Sequence, residues 1–260
     1  MYAYVNQLCE LMWLKSKSHM QKRINVWSSP RNISTAFMYS FAQRKDMTVV
    51  DEPLYAHFLL NTTTKAKHPG TQEILDTMEN DGAKVVDTML HQAYTTPHVL
   101  FKQMTHHLIE LNENFLFEMV NILLIRDPKR ILASYVKIVE NPAMHDVGIK
   151  MQYDLFKKLE AAGKVAAVVD AKQLLLHPQK VLTQLCQKVG LSFDDHMLQW
   201  KKGSRPEDGC WAKYWYANVH NSTGFQPYVE KDIQLFGNLA ALASKCQPYY
   251  EYLFQYAIKA

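Results

Sequence analysis

Residues 121–125 (Asn-Ile-Leu-Leu-Ile) form a continuous apolar run that stops abruptly at Arg126-Asp127-Pro128. A run with no polar alternation has no face to offer water, so as a strand it must be covered on both sides. Asp127 then stands as a helix cap and Pro128 as a first-turn residue. A chain built around this unit has to lay helices over both faces of a sheet.

Four further short apolar runs repeat the pattern. Residues 24–27 end in Ser28-Ser29-Pro30, residues 47–50 close on Asp51-Glu52-Pro53, and residues 99–102 and 165–169 complete the set. Between them lie stretches with helical spacing. Phe37, Met38 and Phe41 follow Ser34, and residues 178–189 alternate apolar and polar positions until Gly190, which suits the left-handed conformation that ends helices. Alternating strands and helices predict an α/β fold, three-layer α/β/α with a central mostly parallel sheet, because parallel neighbours need crossover connections. Ligands of such folds gather at the carboxyl ends of strands.

With 260 residues, 48% of them hydrophobic, the chain can bury one large core, and a single domain spanning 1–260 is expected. Residues 1–22 read as an N-terminal extension. Residues 203–227 lack periodicity and are rich in Trp, Tyr, Asn and Gly, which predicts a long aromatic loop near a cleft. Its aromatics suit either a cleft wall or a subunit contact, so no oligomeric state follows. The net charge of +4 is mild and the basic residues are dispersed, which favours a small anionic ligand over nucleic acid. No apolar run approaches the roughly 20 residues of a membrane helix. Asn6, Gln7 and Glu10 interrupt the stretch where a signal peptide would be apolar. Cys9, Cys186, Cys210 and Cys246 are widely spaced, as in a reduced, cytoplasmic protein.

Two segments carry candidate chemistry. Trp27-Ser28-Ser29-Pro30-Arg31-Asn32-Ile33-Ser34-Thr35 places a cation and hydroxyls at a strand-to-helix turn, where free N–H groups and the helix dipole favour a phosphate. The ATP-binding pattern G-x-x-x-x-G-K-[ST] is absent, since no glycine occurs between Trp27 and Phe41. Arg126 ends the buried strand of residues 121–125, and Ser134 follows eight residues later on the next helix. Arginine's planar fork suits a second phosphate there.

Together these segments resemble the sulfotransferase superfamily. Its members carry a Pro-[Lys/Arg]-Ser-Gly-Thr-Thr-like loop for a 5′-phosphosulfate and an Arg…Ser pair eight residues apart for a 3′-phosphate. Pro30 to Thr35 and Arg126…Ser134 occupy those positions, and Gly190-Leu191-Ser192-Phe193 is similar to the family's later "GL-x-F" stretch. The likeness covers roughly residues 24–200 and looks like a divergent, bacterial-type branch. Ile33 stands where the family loop often has glycine, and Ala36 where many members stack a tryptophan on adenine.

The resemblance implies a P-loop nucleotide-binding-like fold that uses 3′-phosphoadenosine 5′-phosphosulfate as donor and a small-molecule acceptor, with no metal. Arg31 and the backbone of Asn32, Ile33, Ser34 and Thr35 would hold the 5′ end, and Arg126 and Ser134 the 3′ end. The general base stays open between Glu52 and the pair His106 and His107. Lys102 would stabilise the transferring sulfuryl oxygens. Two other readings are a phosphotransferase using ATP with magnesium on Asp51 or Asp127, and a nucleotide-binding homologue without turnover. A zinc enzyme is not expected, because His91, His98, His106 and His107 lack a recognised ligand spacing.

Overall fold

The computed structural model describes residues 21–62, 68–136, 139 and 141–260. Cys9 and nearly all of the expected extension 1–22 fall outside them, and Lys22 already opens the first strand. Five strands form one parallel sheet: β1 Lys22–Ser28, β2 Met47–Asp51, β3 His98–Met104, β4 Val120–Ile125 and β5 Val165–Asp170. Each contains one of the five expected runs. Their order across the sheet is β2-β3-β1-β4-β5.

Side chains alternate across the sheet as the two-residue period requires. Ile24, Val26, Leu100, Ile122, Leu124 and Val169 pack with Phe37, Phe41, Leu182 and Leu185 on one face. Trp27, Val99, Phe101, Leu123, Ile125 and Val168 pack with Val85, Ile131, Leu155, Phe156 and Leu253 on the other. The helices Ser34–Phe41 and Pro178–Lys188 therefore cover one side, and Gly82–His91, Pro128–Tyr135, Ile149–Ala161 and Gly237–Gln255 the other. This is the three-layer architecture that a strand apolar on both faces demands.

One consequence positions the site. The helix after β1 leaves for one face, while the helix after the adjacent β4 leaves for the other. A crevice opens where neighbouring connections diverge in this way. Buried Gln152 crosses it from below, donating to Trp27 O at 3.1 Å and Leu124 O at 2.9 Å. Asp127 accepts from Lys129 N–H with Pro128 in the first turn, as expected, and Gly190 adopts φ +68 after the Pro178–Lys188 helix.

Candidate active site

The loop after β1 crosses the crevice with Arg31 at φ +58, a left-handed conformation uncommon for residues other than glycine. Two bonds hold that turn: Arg126 Nη1 donates to the Arg31 carbonyl, and Asn32 Nδ2 donates to Leu124 O at 2.8 Å. The Ser34–Phe41 helix then begins behind Ile33, which supplies no side-chain cap, and no acidic residue occupies the first turn. Its amino end thus keeps its positive pole free for an anion.

Arg31 Nε donates to Ser134 Oγ at 3.0 Å. Arg31, Arg126 and Ser134 consequently form one contiguous cluster across β1 and β4, where the sequence suggested two separate phosphate sites. Burial, with Arg130 and Arg31 close by, lowers the Arg126 pKa. Such crowding of cations is costly until an anion arrives. Arg130 was not anticipated, although it lies four residues before Ser134 on the same helix face. Its guanidinium sits 4.3 Å from the Tyr228 ring centre and pairs with Glu230 at 2.8 Å. Lys172 reaches Glu230 at 2.9 Å from the opposite wall.

A second cluster lies at the ends of β2 and β3. Lys102, 1% exposed, donates to Asp51 Oδ1 at 2.8 Å, to Tyr216 Oη at 2.7 Å and to Glu52 Oε1. These three bonds use every proton of its ammonium group. Lys102 is the counter-charge of two carboxylates, which raise its pKa well above the usual value despite burial. Burial, the largest effect, and the neighbouring Asp51 charge raise the Glu52 pKa, while Lys102 opposes them. Glu52 itself has φ +40.

His106 and His107 follow β3. His107 is buried against the rings of Tyr55 and Phe58, with centroids at 5.0 and 4.9 Å, and its Nε2 lies 3.8 Å from Glu52 Oε2. Desolvation drives the His107 pKa well below its ordinary value and pushes that of His106 down to about 3, with His68 and His145 adding repulsion. Both rings are neutral near pH 7. His91 is exposed at the end of the Gly82–His91 helix and His98 begins β3, so neither joins them.

Both clusters line one cavity of about 1050 Å³, together with residues 30–36 and the late segment's Trp211, Trp215 and Phe225. That volume accommodates a nucleotide with room for a small second molecule. The stretch 203–227 contains two one-turn helices, Ala212–Trp215 and Ala217–His220, each too short to show a period in sequence.

A profile of the sulfotransferase domain matches residues 22–251. The chain belongs to the sulfotransferase domain family. Two curated relatives from Arabidopsis thaliana are branched-chain-amino-acid aminotransferase-like proteins 2 and 1. They are 37% and 39% identical to it over 232 and 203 residues, or 88% and 78% of this chain. The sulfotransferase chain spans only 41% and 36% of their lengths, so their names describe much longer proteins. Among solved structures, the sulfotransferase domain of the Synechococcus PCC 7002 olefin synthase aligns at TM-score 0.59 and 21% identity, covering 92% of this chain and 97% of that one. The sulfotransferase domain of the curacin biosynthetic pathway aligns at 0.54 and 16%, covering 92% and 99%. At these identities the likeness concerns the fold. Among the described residues, no helix is long and apolar enough to cross a membrane.

Proposed function

We propose that this sulfotransferase domain takes its sulfuryl group from 3′-phosphoadenosine 5′-phosphosulfate and passes it to a hydroxyl or amine of a small acceptor. The observation that carries the reading is the Arg31–Ser134–Arg126 cluster at the β1/β4 crevice, beside an uncapped helix amino end. A ligand with phosphates at both ends of a ribose matches this continuous stretch of donors, and Arg126 keeps further N–H groups beyond the one given to the Arg31 carbonyl. In this assignment the backbone N–H groups of Asn32, Ser34 and Thr35 and the helix dipole hold the 5′ end and stabilise the charge that builds on the leaving phosphate, while the Ile33 N–H is given to Asn32 Oδ1 at 2.8 Å. Arg126 and Ser134 hold the 3′ end, with Arg31 bridging the two. Phe225 and Tyr228 wall the cavity where Ala36 offers no ring, and are assigned to the adenine.

Glu52 is assigned as general base. It lines the cavity, its Oε2 is not taken by Lys102, and burial brings its proton affinity closer to the working pH. A neutral imidazole held near pKa 3, as at His106, takes up protons too weakly to match it. The magnesium-dependent phosphotransferase reading is disfavoured because its two carboxylates already have internal roles. Asp51 binds Lys102 and Tyr216, and Asp127 caps a helix. One folded domain in the cytoplasm, with Cys186, Cys210 and Cys246 as free thiols, completes the proposal.

The deciding experiment is calorimetric titration with 3′-phosphoadenosine 5′-phosphate and separately with ATP, each with and without magnesium. Metal-independent binding that favours the bisphosphate is expected, followed by sulfuryl transfer in an acceptor screen. Magnesium-dependent preference for ATP would replace this reading with phosphoryl transfer, and bisphosphate binding without transfer to any acceptor would leave a binding protein.

A further inference from the structure

Tyr216 lies on the late segment, 165 positions beyond Asp51 in sequence, yet its hydroxyl donates to Asp51 Oδ2 at 2.6 Å. The same oxygen accepts from Lys102 Nζ at 2.7 Å and from Trp211 Nε1 at 3.1 Å, so one donor and two acceptor positions are all used. Asp51 accepts three hydrogen bonds. Oδ1 accepts from Lys102, and Oδ2 accepts from Tyr216 and from Gly209 N–H at 3.3 Å. Asp51 faces Lys102 directly across the β2/β3 register, and Glu52 N–H extends that ladder to Lys102 O at 2.9 Å. Glu52, which lines the cavity, differs from its neighbour: Oε1 accepts from Lys102, while Oε2 lies 3.8 Å from His107 Nε2.

The buried cluster is therefore asymmetric. Two carboxylates share one ammonium group, but Asp51 and Tyr216 take two of its three protons and leave Glu52 one. We infer that Asp51 and Tyr216 are positioning residues that hold the Lys102 ammonium between themselves and Glu52, limit the share of it that Glu52 receives and thereby set the pH at which Glu52 exchanges its proton. Lys102 acts on Glu52 and not on the sulfuryl group. The groups facing Glu52 from all sides are Asp51, Lys102, Tyr216, His107 and Tyr55. With the histidine neutral and both tyrosines protonated, Asp51 and Lys102 supply the local field. This inference rests on Glu52 as the base, and it gives the late segment a part in making that base competent.

The test reads Glu52 directly, by carbon-13 carboxyl NMR titration with the resonance assigned through Glu52→Gln. Asp51→Asn removes an adjacent negative charge, so the Glu52 midpoint should fall by about one pH unit or more, roughly tenfold in proton affinity. Lys102→Met removes the cation and should move it the other way. Tyr216→Phe changes no charge and is the mildest variant. It frees one ammonium proton for the carboxylates and should lower the midpoint by less than Asp51→Asn. In transfer assays the acid limb of the rate profile should follow these shifts while bisphosphate affinity stays unchanged. A midpoint that stays at the wild-type value in every variant that folds would overturn the inference. Shifts as stated without any sulfuryl transfer would support the network and remove the proposed activity, and transfer with unmoved midpoints would do the reverse.

Discussion

Replacing Arg126 by lysine keeps a positive charge at the end of β4 and removes the fork that carries it. In the structure Nη1 is committed to the Arg31 carbonyl, which holds the left-handed turn of the loop, and the remaining guanidinium N–H groups are the ones assigned to a 3′-phosphate. A lysine ammonium sits on a flexible stem and cannot present donors in two fixed directions at that spacing. The variant must therefore give up either the carbonyl or the phosphate. A hydrogen bond to a charged group contributes about 1.5–3 kcal/mol, so affinity should fall about 10- to 150-fold at about 1.4 kcal/mol per tenfold. The assay is calorimetric titration of wild type and Arg126→Lys with 3′-phosphoadenosine 5′-phosphate and with adenosine 5′-monophosphate, which lacks the 3′-phosphate. Most of the loss should disappear with the monophosphate, because the broken contact has no partner there. Equal losses for both nucleotides would refute the assignment and reduce Arg126 to a support for the Arg31 turn. No loss with either would refute its presence in the site.

Glu52→Gln keeps the shape of the base and removes its proton affinity, so kcat should drop by roughly 10²- to 10⁴-fold with bisphosphate affinity unchanged. Wild-type turnover would transfer the role to another group. The buried histidines impose a sign on stability. Their folded pKa values lie below the ordinary value of 6.5, with His106 near 3, so the unfolded chain binds more protons once the pH falls below about 6.5. Stability should then decline by about 1–2 kcal/mol per pH unit on acidification. Urea unfolding at pH 6.5 and pH 5 should show a shallower decline for His107→Leu than for wild type, and parallel declines would contradict this origin. Gly148 has φ +74, and a methyl group there would lie 3.0 Å from Ser29 Cβ. Gly148→Ala should cost about 1 kcal/mol or more and push on the loop that carries Arg31, lowering Tm and bisphosphate affinity together. A wild-type Tm would show that the turn adapts.

What was legible before the fold was local. All five strands announced themselves as short, mainly apolar runs, because a strand covered on both faces holds few polar side chains and only those with partners. Pro128 and Gly190 marked a helix start and a helix end through backbone restrictions that no tertiary contact alters. Arg31 and Arg126 stood out for a related reason: a cation placed soon after a buried strand emerges at the sheet's carboxyl edge wherever that strand lies.

The order of the strands was not legible, and it decides the site. Placing β1 beside β4 brings Arg31 onto Ser134 across 103 positions of sequence and joins the two suspected phosphate sites into one continuous stretch of donors. Placing β2 beside β3 sets Asp51 against Lys102, and only the return of the late segment adds Tyr216. Lys102 showed the same limit, since its sequence position suggested a point charge and its three protein acceptors came from the end of β2 and from the late segment. By itself the sequence determined which residues would be buried in strands and which would stand at their ends, because those properties depend on side-chain polarity and backbone geometry within a few residues. The tertiary structure alone decided which charges meet, which histidines lose water and which carboxylate keeps an open oxygen, because desolvation and pairing belong to the spaces between elements.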